Sequence, residues 1–260
     1  MSSATDYRCS DLRKLLWCDI LFIGGDVIYS RRLLIHSVAN MRELGGYTTN
    51  DGMMTQWRRF VRSDVPINLS ADDIDFIYDY GVRTVIDLRE KIEIEETPSA
   101  FAKINSDKIL YRNISFTDDH TYFWDINYCP LNHIVPVMKG EHRVCEIMTE
   151  LANAPAGGII FHCAAGKDRT GVIAVLLLLI ANVPVEDILT DWQVTYTYIE
   201  KNIKPRLDGR KRNIALCRTE PEWIIPFIDF VLEYGSVTNY LSEQGMKMSD
   251  IKLLKERLIK

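Results

Sequence analysis

An α/β fold, a central mostly parallel sheet flanked by helices, is predicted by three features of this sequence. Turn signals and apolar segments alternate from Arg31 onward at strand and helix spacing. Two short apolar runs, Val82 to Leu88 and Gly158 to His162, read as buried strands. Each follows a segment with helical periodicity, so the order helix, strand, helix, strand emerges.

The first helix is predicted over 71–80. Ser70 is placed to cap it, Asp73 completes a capping box, Leu69 and Ile74 form a hydrophobic staple, and Gly81 supplies the stop. Val82 to Leu88 follows as a strand that runs into Asp87-Leu88-Arg89. Val144, Ile147, Met148 and Leu151 fall at i, i+3, i+4 and i+7, which predicts an amphipathic helix over 141–153, closed by Pro155 to Gly158. After the strand at 158–162, Thr170 to Ala181 is apolar all round and belongs inside the fold. Further helices are predicted over 185–200, 221–234 and 249–259, with a basic, proline-interrupted segment from Lys201 to Arg212. Residues 1–30 show no clear period and read as an N-terminal extension to a domain covering 31–260.

Composition narrows the function classes. At 260 residues and 47% hydrophobic content the chain can bury a substantial core. A net charge of −5 argues against a nucleic-acid binder, which needs an excess of Lys and Arg on one face. The six cysteines, Cys9, Cys18, Cys129, Cys145, Cys163 and Cys217, form no C-x-x-C pair or zinc-ligand spacing, which predicts a reduced, cytoplasmic protein. The apolar stretch from Leu15 to Ile28 is broken by Asp19 and Asp26 and lacks a small-residue cleavage pattern, so it makes a poor signal peptide. Val172 to Ala181 is about half the roughly 20 residues that span a bilayer, so no transmembrane segment is expected. His36, His120, His133, His142 and His162 make no ligand pattern with carboxylates, and neither metal nor other cofactor is expected.

Chemistry concentrates in His162-Cys163-Ala164-Ala165-Gly166-Lys167-Asp168-Arg169-Thr170-Gly171, which joins the end of a buried strand to the start of a buried helix. Unpaired amides and the positive end of the helix dipole converge there, a natural anion site. Ala164, Ala165 and Gly166 are small enough for the backbone to curl round a tetrahedral anion, and Gly166 accepts positive φ. Cysteines at helix N-termini beside cations ionise well below the ordinary thiol value of about 8.5, so the position favours a thiolate at Cys163. Arg169 can donate parallel hydrogen bonds to phosphate oxygens, and the chemistry then needs no metal. A Cys-x5-Arg spacing alone is weak, because cysteine is often just a small buried hydrophobe; the conjunction with the preceding His, the small residues and the trailing Thr and Gly carries the inference.

This loop resembles that of the protein-tyrosine-phosphatase superfamily, His-Cys-x5-Arg-Ser/Thr, and more narrowly the bacterial and fungal branch with His-Cys-x-Ala-Gly-Lys-Asp-Arg-Thr-Gly. The resemblance covers roughly residues 33–260. Asn40-Met41-Arg42-Glu43-Leu44-Gly45-Gly46-Tyr47 is similar to the branch's Asn-x-Arg-Asp-Leu-Gly-Gly, and Arg62-Ser63, Val85 to Arg89 and Tyr234-Gly235-Ser236 with Tyr240-Leu241 follow in matching order. Glu43 departs from the usual Asp. The resemblance implies a phosphatase fold and hydrolysis of phosphate monoesters through a cysteinyl phosphate, with Cys163 as nucleophile, Arg169 as clamp, His162 shaping the loop and Thr170 stabilising the departing thiolate. Phosphotyrosine on protein is the implied substrate, with phosphoserine, phosphothreonine or phosphoinositides as extensions. Lys167 supports the last, since extra ring phosphates need extra positive charge.

The general acid is open among Asp168, Asp87, Asp118 and Asp119, with Asp168 favoured. Asp168 could instead cap the helix, and Asp87 could instead orient the loop. Tyr122, Phe123, Trp124 and Tyr128 read either as a lid or as core packing. The basic run Lys201, Lys204, Arg206, Arg210, Lys211 and Arg212 reads as a solvated loop or an aid at an anionic membrane. Competing readings are a phosphate-binding or scaffold module without turnover, and a sulfur-transfer or arsenate-reducing enzyme with a similar loop.

Overall fold

The computed structural model describes residues 20–23, 26–103, 108–117, 137–138, 143–207 and 218–259, with side chains from residue 30 onward except in 201–207. Asp118, Asp119, the aromatic residues at 122–128, the side chains of the basic run at 201–212, and His120, His133 and His142 lie outside the described residues.

Seven strands are described. β1 (Ile20–Ile23) and β2 (Asp26–Tyr29) form an antiparallel hairpin within the segment read as an extension without period. β3 (Arg42–Glu43), β4 (Phe60–Ser63), β5 (Val82–Asp87), β6 (Leu110–Asn113) and β7 (Gly158–His162) make one sheet in the order β3-β4-β7-β5-β6. Only the β3–β4 pair is antiparallel; the remaining three pairs are parallel. β7 is central, and register aligns Ser63, His162, Asp87 and Asn113 in one row at the carboxyl ends of four strands. Ligands of open parallel sheets bind off this edge.

β5 and β7 lie where their apolar runs put them, and β7 is buried throughout. β3, β4 and β6 carry no comparable signal, since each spans at most four residues. α1 (Ala71–Tyr80) has the predicted capping box and ends on Gly81 at φ +109°. α2 (Lys91–Glu96) and α3 (Ala100–Lys103) follow β5. α4 (Val144–Asn153) buries Val144, Ile147, Met148 and Leu151, the predicted stripe. α5 (Asp168–Ile180) starts two residues earlier than its apolar run and is buried nearly all round.

The carboxyl-terminal part is helical, as expected. α6 (Val185–Leu207) extends beyond its predicted end. The stretch at 221–234 splits into a 3-10 turn (Pro221–Trp223) and α7 (Ile225–Glu233). α8 (Val237–Glu243), capped by Ser236, was not foreseen, and α9 (Met248–Leu258) agrees with its periodicity.

Strand alternation sends Phe60, Ile86, Ile159 and Phe161 into a core shared with α4, α5, α7, α8 and α9. Val61, Val85 and Ile160 point to the other face, against Ile77 and Tyr80 of α1. With both faces covered, the active loop between β7 and α5 rests on a fixed platform.

Candidate active site

Residues 163–167 form the connection from β7 to α5, and their backbone is held from behind. Val65 N–H donates to the carbonyl of Ala164 (3.2 Å). Asn40 Nδ2 donates to those of Ala165 and Gly166 (2.9 and 3.0 Å), and Arg62 Nη2 to Gly166 (2.7 Å) and Lys167 (3.4 Å). Four successive carbonyls are thus turned into the protein. In a planar trans peptide the following N–H points the opposite way, so the amides of Ala165, Gly166, Lys167 and Asp168 face the concave side. Gly166 adopts φ +65°, and a Cβ there would stand 2.4 Å from the Ser63 carbonyl oxygen. Glycine is required on both counts.

The residues that brace the loop come from the upstream motif. Asn40 and Arg42 lie at β3, Arg62 on β4, and Asp191 on α6 joins them: Arg42 Nε reaches Asp191 Oδ1 (2.8 Å) and Arg62 Nη1 pairs with Oδ2. Arg42 also bonds Asn40 Oδ1 and Thr195 Oγ1 (2.8 Å), and Tyr47 OH reaches Asp191 (3.2 Å). Burial pushes the Asp191 carboxyl up, but the flanking guanidiniums overcome it and hold the group at about 2. Asp191 escaped the sequence reading because its meaning depends on arginines more than a hundred positions away.

Glu43, the departure from the family pattern, accepts from Arg58 N–H (2.9 Å) and Tyr80 OH (2.7 Å). Burial pushes its carboxyl up to about 7. Gly45 and Gly46 have a steric cause: a Cβ on Gly46 would stand 2.2 Å from the Trp57 ring.

Cys163 heads the loop and is buried. His162 is fully buried beside it, with Nδ1 donating to the Cys163 carbonyl (3.2 Å) and Nε2 at 3.6 Å from Asp87 Oδ2. Burial lowers the His162 imidazole's proton affinity despite the nearby carboxylate. Asp87 accepts from Arg89 Nη2 (2.6 Å) and Nε (2.9 Å) and from Tyr111 OH (2.9 Å). Although burial pushes it up, His162 and Arg89 bring the Asp87 carboxyl below its usual range.

Asp168 is the first residue of α5, with Lys167 at the cap position. Its Oδ1 lies 3.3 Å from Lys167 Nζ. Lys167 is only 2% exposed: Nζ donates to the Arg218 carbonyl (3.3 Å) and sits 5.4 Å from the Trp223 ring centroid. Thr170 is buried with no hydrogen-bond partner for Oγ1 among the described residues. Gly171 lets α5 pack on Trp192, whose ring would stand 2.5 Å from an added Cβ.

Arg169 is buried and forms a two-point pair with Glu93 of α2, Nη1 to Oε2 at 2.6 Å and Nη2 to Oε1 at 2.9 Å. The arginine keeps the Glu93 carboxyl below its usual range in spite of burial. Glu93 was missed by sequence reasoning, and the only local signal was the Glu90 and Glu93 spacing of a capping box. Among the described residues no group of His, Cys, Asp and Glu is arranged to hold a metal ion, and no helix is long and apolar enough to cross a membrane.

A tyrosine-protein phosphatase of Nostoc commune is 27% identical over 228 residues, covering 76% of this chain and 74% of the relative. A Cupriavidus necator protein is 26% identical over 243 residues, covering 81% and 83%. A crystal structure of P. aeruginosa TpbA in complex with pTyr has 13% identity and a TM-score of 0.37, covering 74% of this chain and 91% of that one. The family model described as "Tyrosine phosphatase family" matches residues 33–260, and with the phosphate-type loop set between β7 and α5 the chain belongs to the tyrosine phosphatase family of hydrolases.

Proposed function

We propose that the chain removes phosphate from phosphotyrosine through a cysteinyl-phosphate intermediate on Cys163. The observation that carries this reading is the loop itself: carbonyls at 164–167 turned into the protein aim successive amides at one concave point, with Cys163 at its head and Arg169 at its far end. Such an array stabilises the charge that spreads over the equatorial oxygens of a transferring phosphoryl group.

In the first step the Cys163 thiolate attacks phosphorus, the bond from phosphorus to the ester oxygen breaks, and the leaving oxygen takes a proton. Asp168, at the start of α5 beside the loop, is the donor we assign; Asp87 is committed to Arg89 and Tyr111 and Glu93 to Arg169, while Asp118 and Asp119 lie outside the described residues. In the second step water attacks phosphorus, Asp168 accepts a proton from it, and the sulfur leaves as thiolate. Thr170 Oγ1, buried without another partner among the described residues, is the hydroxyl we assign to that sulfur. His162, tied to the Cys163 carbonyl, fixes the loop's first turn.

Phosphoinositides would draw on Lys167, but that ammonium is already held by Asp168, the Arg218 carbonyl and Trp223. Phosphotyrosine is therefore the substrate class put forward here. The test is hydrolysis of para-nitrophenyl phosphate, then of a panel of phosphotyrosine, phosphoserine and phosphoinositide compounds, by wild type and Cys163→Ser. Turnover lost in the variant and fastest on phosphotyrosine supports the proposal; equal rates in the two proteins overturn it, and binding without turnover by wild type makes the chain a phosphate-binding module.

A further inference from the structure

Building on the proposed phosphatase reading, we infer that Trp223 is a specificity-determining residue. With the Arg218 carbonyl it holds the Lys167 ammonium against Asp168, and so confines the loop to ligands that carry a single phosphate. A second phosphate on the ligand needs a second cation at the loop, and Lys167 stands at the right place in the chain to supply it. What else grips that ammonium decides whether it can.

A buried ammonium is costly unless it is paired and hydrogen-bonded, and Lys167 is almost wholly buried. An ammonium has three donors, and three groups of different kinds surround this one: the Asp168 carboxylate, the Arg218 carbonyl and the face of the Trp223 ring. Asp168 is the lysine's neighbour in sequence. The other two arrive together on one segment, and of them only the ring is a side chain, so the choice is written at position 223. Indole is the aromatic face that attracts a cation most strongly.

That segment is fastened down. Thr219 Oγ1 donates to the Gln193 carbonyl of α6 (2.8 Å), and Trp192 Nε1 of α6 donates to the Glu220 carbonyl (3.3 Å). Trp223 N–H closes the 3-10 turn on that same Glu220 carbonyl (3.1 Å), and the next residue, Ile224, is buried in the core. α6 is also the helix whose Asp191 braces the loop through Arg62. The lysine's own backbone is held as firmly, its carbonyl accepting from Gly171 N–H (2.7 Å) and Arg62 Nη2 (3.4 Å). Lysine and ring therefore share one frame, and the ammonium cannot turn to a second phosphate without leaving the ring and the carbonyl together.

The experiment measures calorimetric affinities for inorganic phosphate and for an inositol trisphosphate with vicinal ring phosphates, in a Cys163→Ser background so that neither is consumed. Trp223→Leu should raise the trisphosphate affinity about 10-fold relative to phosphate, the worth of a partly desolvated cation–π contact. Trp223→Phe, which keeps a weaker ring face, should raise it only about 3-fold, and adding Lys167→Ala should remove both gains. A folded Trp223→Leu protein with the unsubstituted ratio overturns the inference, as does a gain that survives Lys167→Ala. A preference for trisphosphate that is present with Trp223 in place and lost on Lys167→Ala overturns it too. Thermal unfolding establishes folding; should Trp223→Leu not fold, Trp223→Phe carries the test, and an unchanged ratio there overturns the inference. Turnover of para-nitrophenyl phosphate by wild type is followed separately: if it is lacking the proposed function fails, and the affinity ratios still decide the role of Trp223.

Discussion

Gly166→Ala tests how tightly the loop's shape is specified. At φ +65° an alanine is strained by roughly 1–2 kcal/mol. Its methyl would also stand 2.4 Å from the Ser63 oxygen, 2.5 Å from the Ser63 carbonyl carbon and 2.6 Å from Asp64 N. Those atoms cannot retreat easily. Ser63 is paired with His162 in the sheet, and the Asp64 carboxylate accepts from Asn40 N–H (2.9 Å) and Ala39 N–H (3.2 Å). The loop must therefore move, by about 1 Å to regain ordinary van der Waals separation. That motion stretches the bonds from Asn40 and Arg62 to the Gly166 carbonyl, each worth about 1 kcal/mol. Together the losses come to roughly 3 kcal/mol of stability, and a 1 Å displacement of the anion cradle costs on the order of 10²-fold in kcat/KM. Urea unfolding and para-nitrophenyl phosphate turnover, the latter normalised to folded protein by circular dichroism, measure both. A folded variant with wild-type kcat/KM would refute the claim that this loop's geometry carries the chemistry.

Asp191→Asn leaves the Arg42 and Arg62 guanidiniums buried without their counter-charge, and urea unfolding should show a loss of about 3–5 kcal/mol together with reduced turnover. Because the folded Asp191 carboxyl sits at about 2 against an ordinary 3.8, its stabilising contribution is present above pH 3.8 and disappears as pH falls through about 2; acid unfolding of wild type followed by tryptophan fluorescence reads this. Glu43 acts with the opposite sign. Its folded carboxyl at about 7 binds a proton that the unfolded group, at 4.5, has released, so stability falls by about 3 kcal/mol as pH rises from 4.5 to 7 and is level beyond that. Glu43→Gln should flatten this part of the stability profile and raise the urea midpoint at pH 8 relative to wild type.

The site was more legible in the sequence than the scaffold around it. Cys163, Gly166 and Arg169 are read from a contiguous run whose chemistry is local: a sulfur, a positive φ and a fork-shaped cation at the start of an apolar helix. α1 was equally plain, because Ser70, Asp73 and Gly81 signal its two ends within a dozen positions. β4 was not, since Phe60-Val61-Arg62-Ser63 has no alternation, and Arg62 is buried only because Asp191 meets it from α6. Lys167 was legible as a cation beside the loop, but Trp223, Arg218 and Asp168 enclose it through contacts that no local pattern encodes. Glu93 was hidden for the same reason, as a helix-capping glutamate gives no sign of the arginine it will face 76 positions later.

The central claim is a covalent bond between phosphorus and the sulfur of Cys163. Acid quenching within the first turnover, followed by intact-mass and peptide mass spectrometry, should find one phosphoryl group on the peptide that contains Cys163, absent from Cys163→Ser. Turnover by wild type with no phosphoryl adduct on that peptide, or with the adduct on another residue, would contradict the account.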